Sequence, residues 1–293
     1  MGLINFILNL AALLLWLGWR DARASLHGDG PGLPLSRTLR PLGRSDLLRW
    51  KYLGALLALL PARALLYHWI GPTMRWTPGL DLGVIVPPFR SELFSRMLWF
   101  SVFSFGLTLA CFYLSVLFLS IVNRRVPDIE PLQKIVRGYL GRVERWPTAL
   151  KIFLPLAVAV GVWVALSPLL VWLDIVPAAP AWGVRIRQGF LIGVGMCLKW
   201  KHVVASVLLL HFLNSHIYFG NHPLWTFVTV TARQMLSPLR RLPLRIGRVD
   251  FAPVVAIVAV YLVTQWMELG MDLRLLGLHS HLPGLKDFFA CAA

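Results

Sequence analysis

The sequence predicts an all-α membrane protein with about six transmembrane helices, arranged as three repeated helical hairpins with amphipathic helices in the cytoplasmic loops. Three observations carry this. Of 293 residues, 57% are hydrophobic and only 14% charged, against about 25% charged in an ordinary soluble domain. Apolar runs of about 17–25 residues, long enough to cross a bilayer core, recur along the chain. Lysine and arginine alternate between the connections as a positive-inside bias requires.

The six runs are Leu3 to Trp19, Tyr52 to Ile70, Met97 to Val122, Ile152 to Leu173, a segment within Gly189 to Phe219, and Ala252 to Met267. Each is expected to be helical, because hydrocarbon offers an open backbone no hydrogen-bond partner. Connections 20–51, 123–151 and 214–251 carry seven, seven and five Lys or Arg, whereas 71–96 and 176–188 carry three and two. This pattern places three basic loops in the cytoplasm and both termini outside, in the inner (plasma) membrane. The net charge of +16 is then a topology signal, and no nucleic-acid partner is expected. Arg20 and Arg23 follow the first apolar run, whereas a signal peptide carries its charge in front; the run reads as an uncleaved span. Trp16, Trp19, Trp50 and Trp146 fall near inner ends, and Trp69, Trp99, Trp172 and Trp266 near outer ends, the pattern of an interfacial belt.

The hairpins fall at 1–75, 93–175 and 189–268, followed by a tail at 269–293. A short motif recurs before each returning span: Gly43-Arg44-Ser45-Asp46, Gly141-Arg142-Val143-Glu144 and Gly247-Arg248-Val249-Asp250. Glycine permits a tight turn. Arginine marks the cytoplasmic face, and the acid meets the positive end of a helix dipole. Two loops carry amphipathic helices. In one, Leu132, Ile135, Val136, Tyr139 and Leu140 form an apolar face opposite Gln133, Lys134, Arg137 and Arg142. The other opens at Pro223, suited to a first helical position, and continues as a stripe of Leu224, Val228, Met235, Leu236 and Leu239. Such helices suit the inner headgroup layer and its anionic lipids, or a protein partner.

The third hairpin resembles the YggT family of integral membrane proteins. The resemblance rests on Asn221-His222-Pro223-Leu224-Trp225, on Pro238-Leu239-Arg240-Arg241-Leu242-Pro243, and on Gly247-Arg248-Val249-Asp250-Phe251-Ala252-Pro253. It covers roughly residues 203–267. The second hairpin is looser, with Glu144-Arg145-Trp146-Pro147 in place of Asp-x-x-Pro, and the first lacks a proline after Asp46. The resemblance is to a family that has no agreed biochemical activity, and the function expected here is a non-enzymatic scaffold or assembly factor. Bacterial members are linked to osmotic tolerance and cell division. Chloroplast relatives are linked to cytochrome b6f assembly and haem attachment. It leaves transient haem handling as its only cofactor implication.

The residues themselves point to no resident cofactor. Cys111, Cys197 and Cys291 form no CxxC or Cys/His cluster, and His202 meets His68 at one depth only if the fifth span begins at His202. No hydrolase, kinase or zinc-protease motif occurs, so no enzyme is expected. The candidates for lipid or partner binding are Arg240, Arg241, Arg248, Asp250, Arg142 and Glu144. The alternative function is a small channel or transporter whose polar path is lined by Arg63, Lys199, Lys201 and His202. Charges in mid-span are costly and functional by default. If the fifth span runs from Gly189 to Leu213, the two lysines lie near its middle. If it runs from His202 to Phe219, they snorkel at the outer interface. Arg63 either faces the bundle toward Glu92 or Asp174, or satisfies carbonyls freed by Pro61.

Overall fold

The architecture is given by a computed structural model describing residues 2–26, 45–73, 76–124, 126, 131–177, 181–217, 222–237, 245–246 and 249–279. Nine α-helices span the described residues. They are α1 (Gly2–Leu26), α2 (Ser45–Thr73), α3 (Phe94–Val122), α4 (Pro131–Leu140), α5 (Thr148–Trp172), α6 (Trp182–Leu198), α7 (Trp200–His216), α8 (Pro223–Met235) and α9 (Ala252–His279). A 3-10 turn, Gly141–Arg145, links α4 to α5. Arg245–Ile246 (β1) and Val249–Asp250 (β2) form a small antiparallel ribbon before α9. The chain divides into two compact units, residues 1–81 with 85–112 and residues 82–84 with 113–293.

By length and composition, five helical segments can cross a membrane: Gly2–Ala22, Arg49–Thr73, Phe94–Val122, Thr148–Trp172 and Trp182–His216. The expected sixth span corresponds to the shorter apolar stretch Ala252–Glu268, within a helix that continues to His279. The surface is apolar. Leu57, Phe153, Leu262 and Val263 are each about 60% exposed, while Arg63, Lys151, Asn9, Ser101 and Asn123 are buried. Water would select the reverse arrangement; lipid selects this one. The expected outer anchors Trp69, Trp172 and Trp266 stand almost fully exposed. Trp16, expected at an inner end, does not: it lies against Phe105, partly buried against the apolar core of its unit.

In the first unit, α1 and α2 pack through Ala12 and Leu56, joined by Phe105 of α3. Gly18 lets α1 approach the Tyr52 ring, 3.1 Å from where a Cβ would stand. The loop between α2 and α3 folds back on itself: Leu80 N–H donates to Pro87 O and Phe89 N–H to Pro78 O. That hairpin-like pairing buries Phe89 against Phe100, 5.4 Å between ring centroids.

In the second unit, α5 and α6 pack antiparallel on small residues. Gly189 and Gly193, four apart on one face of α6, meet Val160 and Trp163, then Leu156 and Ala159. This is the close-approach device of membrane helices, which lack a hydrophobic driving force between them. Just past the end of α5, Asp174 has φ 53° and turns the chain so that Ile175 N–H reaches back to Leu170 O at 3.0 Å. Helix α7 packs on α8 and α9 through Val207, Leu208, Ala232, Leu236 and Ala256.

The Trp182–His216 segment is broken at Lys199. There Lys199 N–H bonds to Met196 O and His202 N–H to Lys199 O, both three residues back instead of four. The two lysines therefore lie at the start of α7, not in the middle of an unbroken 189–213 span. The amphipathic helices form where periodicity places them, at α4 and α8. Two of their faces differ from expectation. Gln133, assigned to the polar face of α4, is buried because it bonds the end of α3, and Leu224 of α8 is exposed while Thr231 and Ala232 are buried.

A Cβ on Gly189 would stand 2.9 Å from the Val160 backbone, whereas Gly161 has nothing within 4 Å. Gly189→Leu should therefore cost about 1–3 kcal/mol of overpacking and lower the thermal midpoint of the detergent-solubilised protein. Gly161→Leu should leave the midpoint unchanged; an equal fall in both would remove the α5–α6 packing argument.

Candidate functional site

Two polar networks lie inside the units. The first surrounds Arg63, which is 2% exposed. Its position follows from helical spacing. Arg63 and Tyr67, four apart, share the face of α2 that meets α1 and α3. Asn5 and Asn9 repeat that spacing on α1, and Ser101 and Ser104 lie three apart on α3. The guanidinium donates from Nε to the Tyr67 hydroxyl at 3.2 Å and from Nη1 to Asn9 Oδ1 at 2.6 Å. Nη2 donates to Asn5 Oδ1 at 2.5 Å and to Ser104 Oγ at 2.8 Å. Asn9 Nδ2 donates to Ser104 Oγ, and the Tyr67 hydroxyl donates to Asn5 Oδ1. The cation also lies 5.3 Å from the Tyr67 ring centroid and 5.8 Å from that of Phe100.

Every one of these partners is neutral. Neither Glu92 nor Asp174 pairs with Arg63, and neither do carbonyls freed by Pro61. Glu92 is exposed in the loop before α3, whereas the amides of α1 lie within reach at the right height. These amides were missed in the sequence, yet they carried a signal: two Asn four residues apart in an otherwise apolar run.

The second network ties the end of α3 to α4, the 3-10 turn, α5 and α8. Lys151, 5% exposed, stands 3.2 Å from Glu144 Oε2 and donates to Ser120 Oγ at 3.1 Å. Ser120 in turn donates to Glu144 Oε2 at 2.5 Å, and Arg137 approaches Glu144 Oε1 at 3.6 Å. Arg137 and Gln133 donate to the Asn123 carbonyl at 3.3 and 3.1 Å. A cation there meets the negative end of α3. Asn123 Nδ2 reaches Thr231 Oγ1 on α8 at 2.8 Å. Gly141 has φ 55°, which supplies the turn expected of the Gly-Arg-x-acid motif. Glu144 binds side chains of its own unit, while Arg142 is exposed.

At the start of α7, Lys201 Nζ pairs with Glu268 Oε1 of α9 at 2.6 Å and lies 5.9 Å from the Tyr261 ring centroid. His202 Nδ1 is 3.4 Å from the Tyr261 hydroxyl. Lys199 is half-buried at the helix break. Arg240, Arg241 and Arg248 lie outside the described residues, and Asp250 is described only as the end of β2. Among the described residues no group of three His, Cys, Asp or Glu is placed to hold a metal.

Removing one partner of a buried ion pair leaves the other uncompensated. Lys151→Met should lower stability by up to about 3–5 kcal/mol, and Lys151→Met with Glu144→Gln should recover most of that loss. Equal midpoints for the single and double variants would show that the pair does not act as a unit. Lys201→Glu should loosen α7 from α9 by up to about 1 kcal/mol, the range for exposed pairs. The charge swap Lys201→Glu with Glu268→Lys should restore the contact, read as protection of α9 from hydrogen exchange.

No curated protein and no solved structure matches the chain. One family model does, over residues 190–271, and its description is CCB3/YggT. The match takes in the end of α6, α7, α8, the β ribbon and most of α9, so this multi-pass membrane chain carries a CCB3/YggT region at its C-terminal side.

Proposed function

We propose that the protein is a non-enzymatic scaffold or assembly factor of the inner membrane, with both termini outside and its basic loops in the cytoplasm. Its six spans form three hairpins, and it engages anionic lipid headgroups or membrane-protein partners through the loop that carries Arg240, Arg241, Arg248 and Asp250. It works in membrane-complex biogenesis, osmotic tolerance or cell division, and no resident cofactor is part of this reading. One observation supports it above the channel alternative. The buried Lys151 and the half-buried Lys201 each bind a carboxylate of their own unit. Groups engaged in this way fasten helices together. A path for ions or solutes needs polar groups that stay open to the passing species.

The test uses Arg240→Glu with Arg241→Glu in the full chain. Membrane insertion should be unchanged, measured by resistance to alkaline extraction. Flotation with vesicles rich in anionic phospholipid, and cross-linking to neighbouring membrane proteins, should be lost. Retention of both would reject the scaffold reading. Solute flux through reconstituted vesicles that depends on Arg63 and Lys201 would establish the channel in its place.

A further inference from the structure

We propose that Arg63 and its four neutral partners form a binding site for a small monovalent inorganic anion of halide size. The inference rests on the first unit alone and stands apart from the scaffold reading.

A guanidinium keeps its charge in any protein environment. Here it is 2% exposed, and no carboxylate pairs with it among the described residues. Taking a cation out of water without a counter-charge is costly, and neutral hydrogen bonds offset only part of that cost. A fixed aspartate or glutamate would supply the missing charge. Instead the shell is built from Asn5, Asn9, Ser104 and Tyr67. Each of these can reverse its role: an amide by flipping oxygen for nitrogen, a hydroxyl by rotating its proton. In the arrangement seen here, the asparagine oxygens and both hydroxyls accept from Arg63. With an anion beside the guanidinium, the same four side chains become donors to it. A shell that can serve either state is suited to a counter-ion that comes and goes.

The position also fits. Asn5 is only three residues inside the start of α1, about 5 Å along the helix axis, and it is half-buried. The guanidinium therefore lies one to two helical turns below the end of α1, with Asn5 on the approach. Tyr67, Trp76 and Phe100 form an aromatic wall on one side, with ring centroids 5.1 and 5.9 Å from Tyr67. Beyond Asn9, α1 and α2 meet in the apolar cluster of Ala12, Leu56 and Phe105. The site ends there, so it holds an ion instead of passing one. Its enclosure selects against large or strongly hydrated species such as sulfate, phosphate or a lipid headgroup.

The test is thermal unfolding of the full chain in an uncharged, lipid-free detergent. Chloride, bromide and nitrate are compared with gluconate and sulfate at equal ionic strength. The midpoint should rise saturably with the small monovalent anions and stay flat in gluconate and sulfate. Arg63→Met should abolish the response. Should Arg63→Met fail to fold, Asn5→Ala and Tyr67→Phe carry the test. Each removes a hydrogen bond to a charged group, and at least Asn5→Ala should raise the half-saturating concentration about tenfold or more. A midpoint that follows ionic strength alone would overturn the proposal. So would a chloride response unaltered in Asn5→Ala and Tyr67→Phe. Stabilisation by an added anionic phospholipid with none from chloride would also overturn it, and would assign the charge to lipid.

Discussion

Hydrocarbon gives an amide, a hydroxyl or a cation nothing to bind, so each polar group in a spanning segment must find its partner within the protein. The inverted surface follows from this, with Leu57, Phe153 and Val263 outward and Asn9, Arg63, Ser104 and Lys151 inward. In the first unit, one guanidinium gathers side chains from α1, α2 and α3. In the second, Lys151 and Glu144, with Ser120, Arg137 and Asn123 around them, gather α3, α4, the 3-10 turn and α5. The polar groups thus fix which helix faces meet, a task that apolar side chains perform poorly where the surrounding solvent is equally apolar.

Between α5 and α6 the chain uses small residues, beside a hydrogen bond from Trp163 Nε1 to Gln188 Oε1 at 3.2 Å. The α5–α6 contact has Gly189 and Gly193 on one side and backbone atoms of Leu156 and Val160 on the other. Close backbone approach multiplies weak dispersion contacts, each worth little alone. The break at Lys199 then separates two different packing solutions. Helix α6 lies on α5 through glycines, and α7 lies on α8 and α9 through branched aliphatics and the Lys201–Glu268 pair. A straight helix through residues 182–216 would be about 50 Å long, well beyond the roughly 30 Å of a bilayer core. A bend within it is therefore expected on length alone.

The positions of the helices were legible because they depend on apolar runs and on 3.6-residue periodicity, both local properties. Helices α4 and α8 begin at Pro131 and Pro223 as the sequence suggests. Partner choice was not legible, because it depends on which faces meet. Arg63 stood out as a mid-span charge, but nothing local says that it binds Asn5 and Asn9, 58 and 54 residues away. Gln133 sat on the polar face of its helix by periodicity and is buried because the end of α3 needs donors for its free carbonyls. The ambiguity over Lys199 had the same source. Hydropathy averages over a window, so it registers the length of the run and not the turn inside it.

The CCB3/YggT match and the Arg63 network lie in different parts of the chain. The match begins at residue 190, and every residue of the network precedes residue 105. Residues 221–250 carry the Asn-x-Pro, Pro-Leu-Arg-Arg and Gly-Arg-Val-Asp runs, whereas residues 1–75 share only the Gly-Arg-x-acid run. The latter hold instead a buried cation, Arg63, whose neutral shell takes in Ser104 of α3 as well. One unit carries the CCB3/YggT region; the other carries the Arg63 network. Substitutions at Asn5 or Tyr67 and substitutions at Arg240 or Arg241 should accordingly affect different measurements, since no residue belongs to both sets.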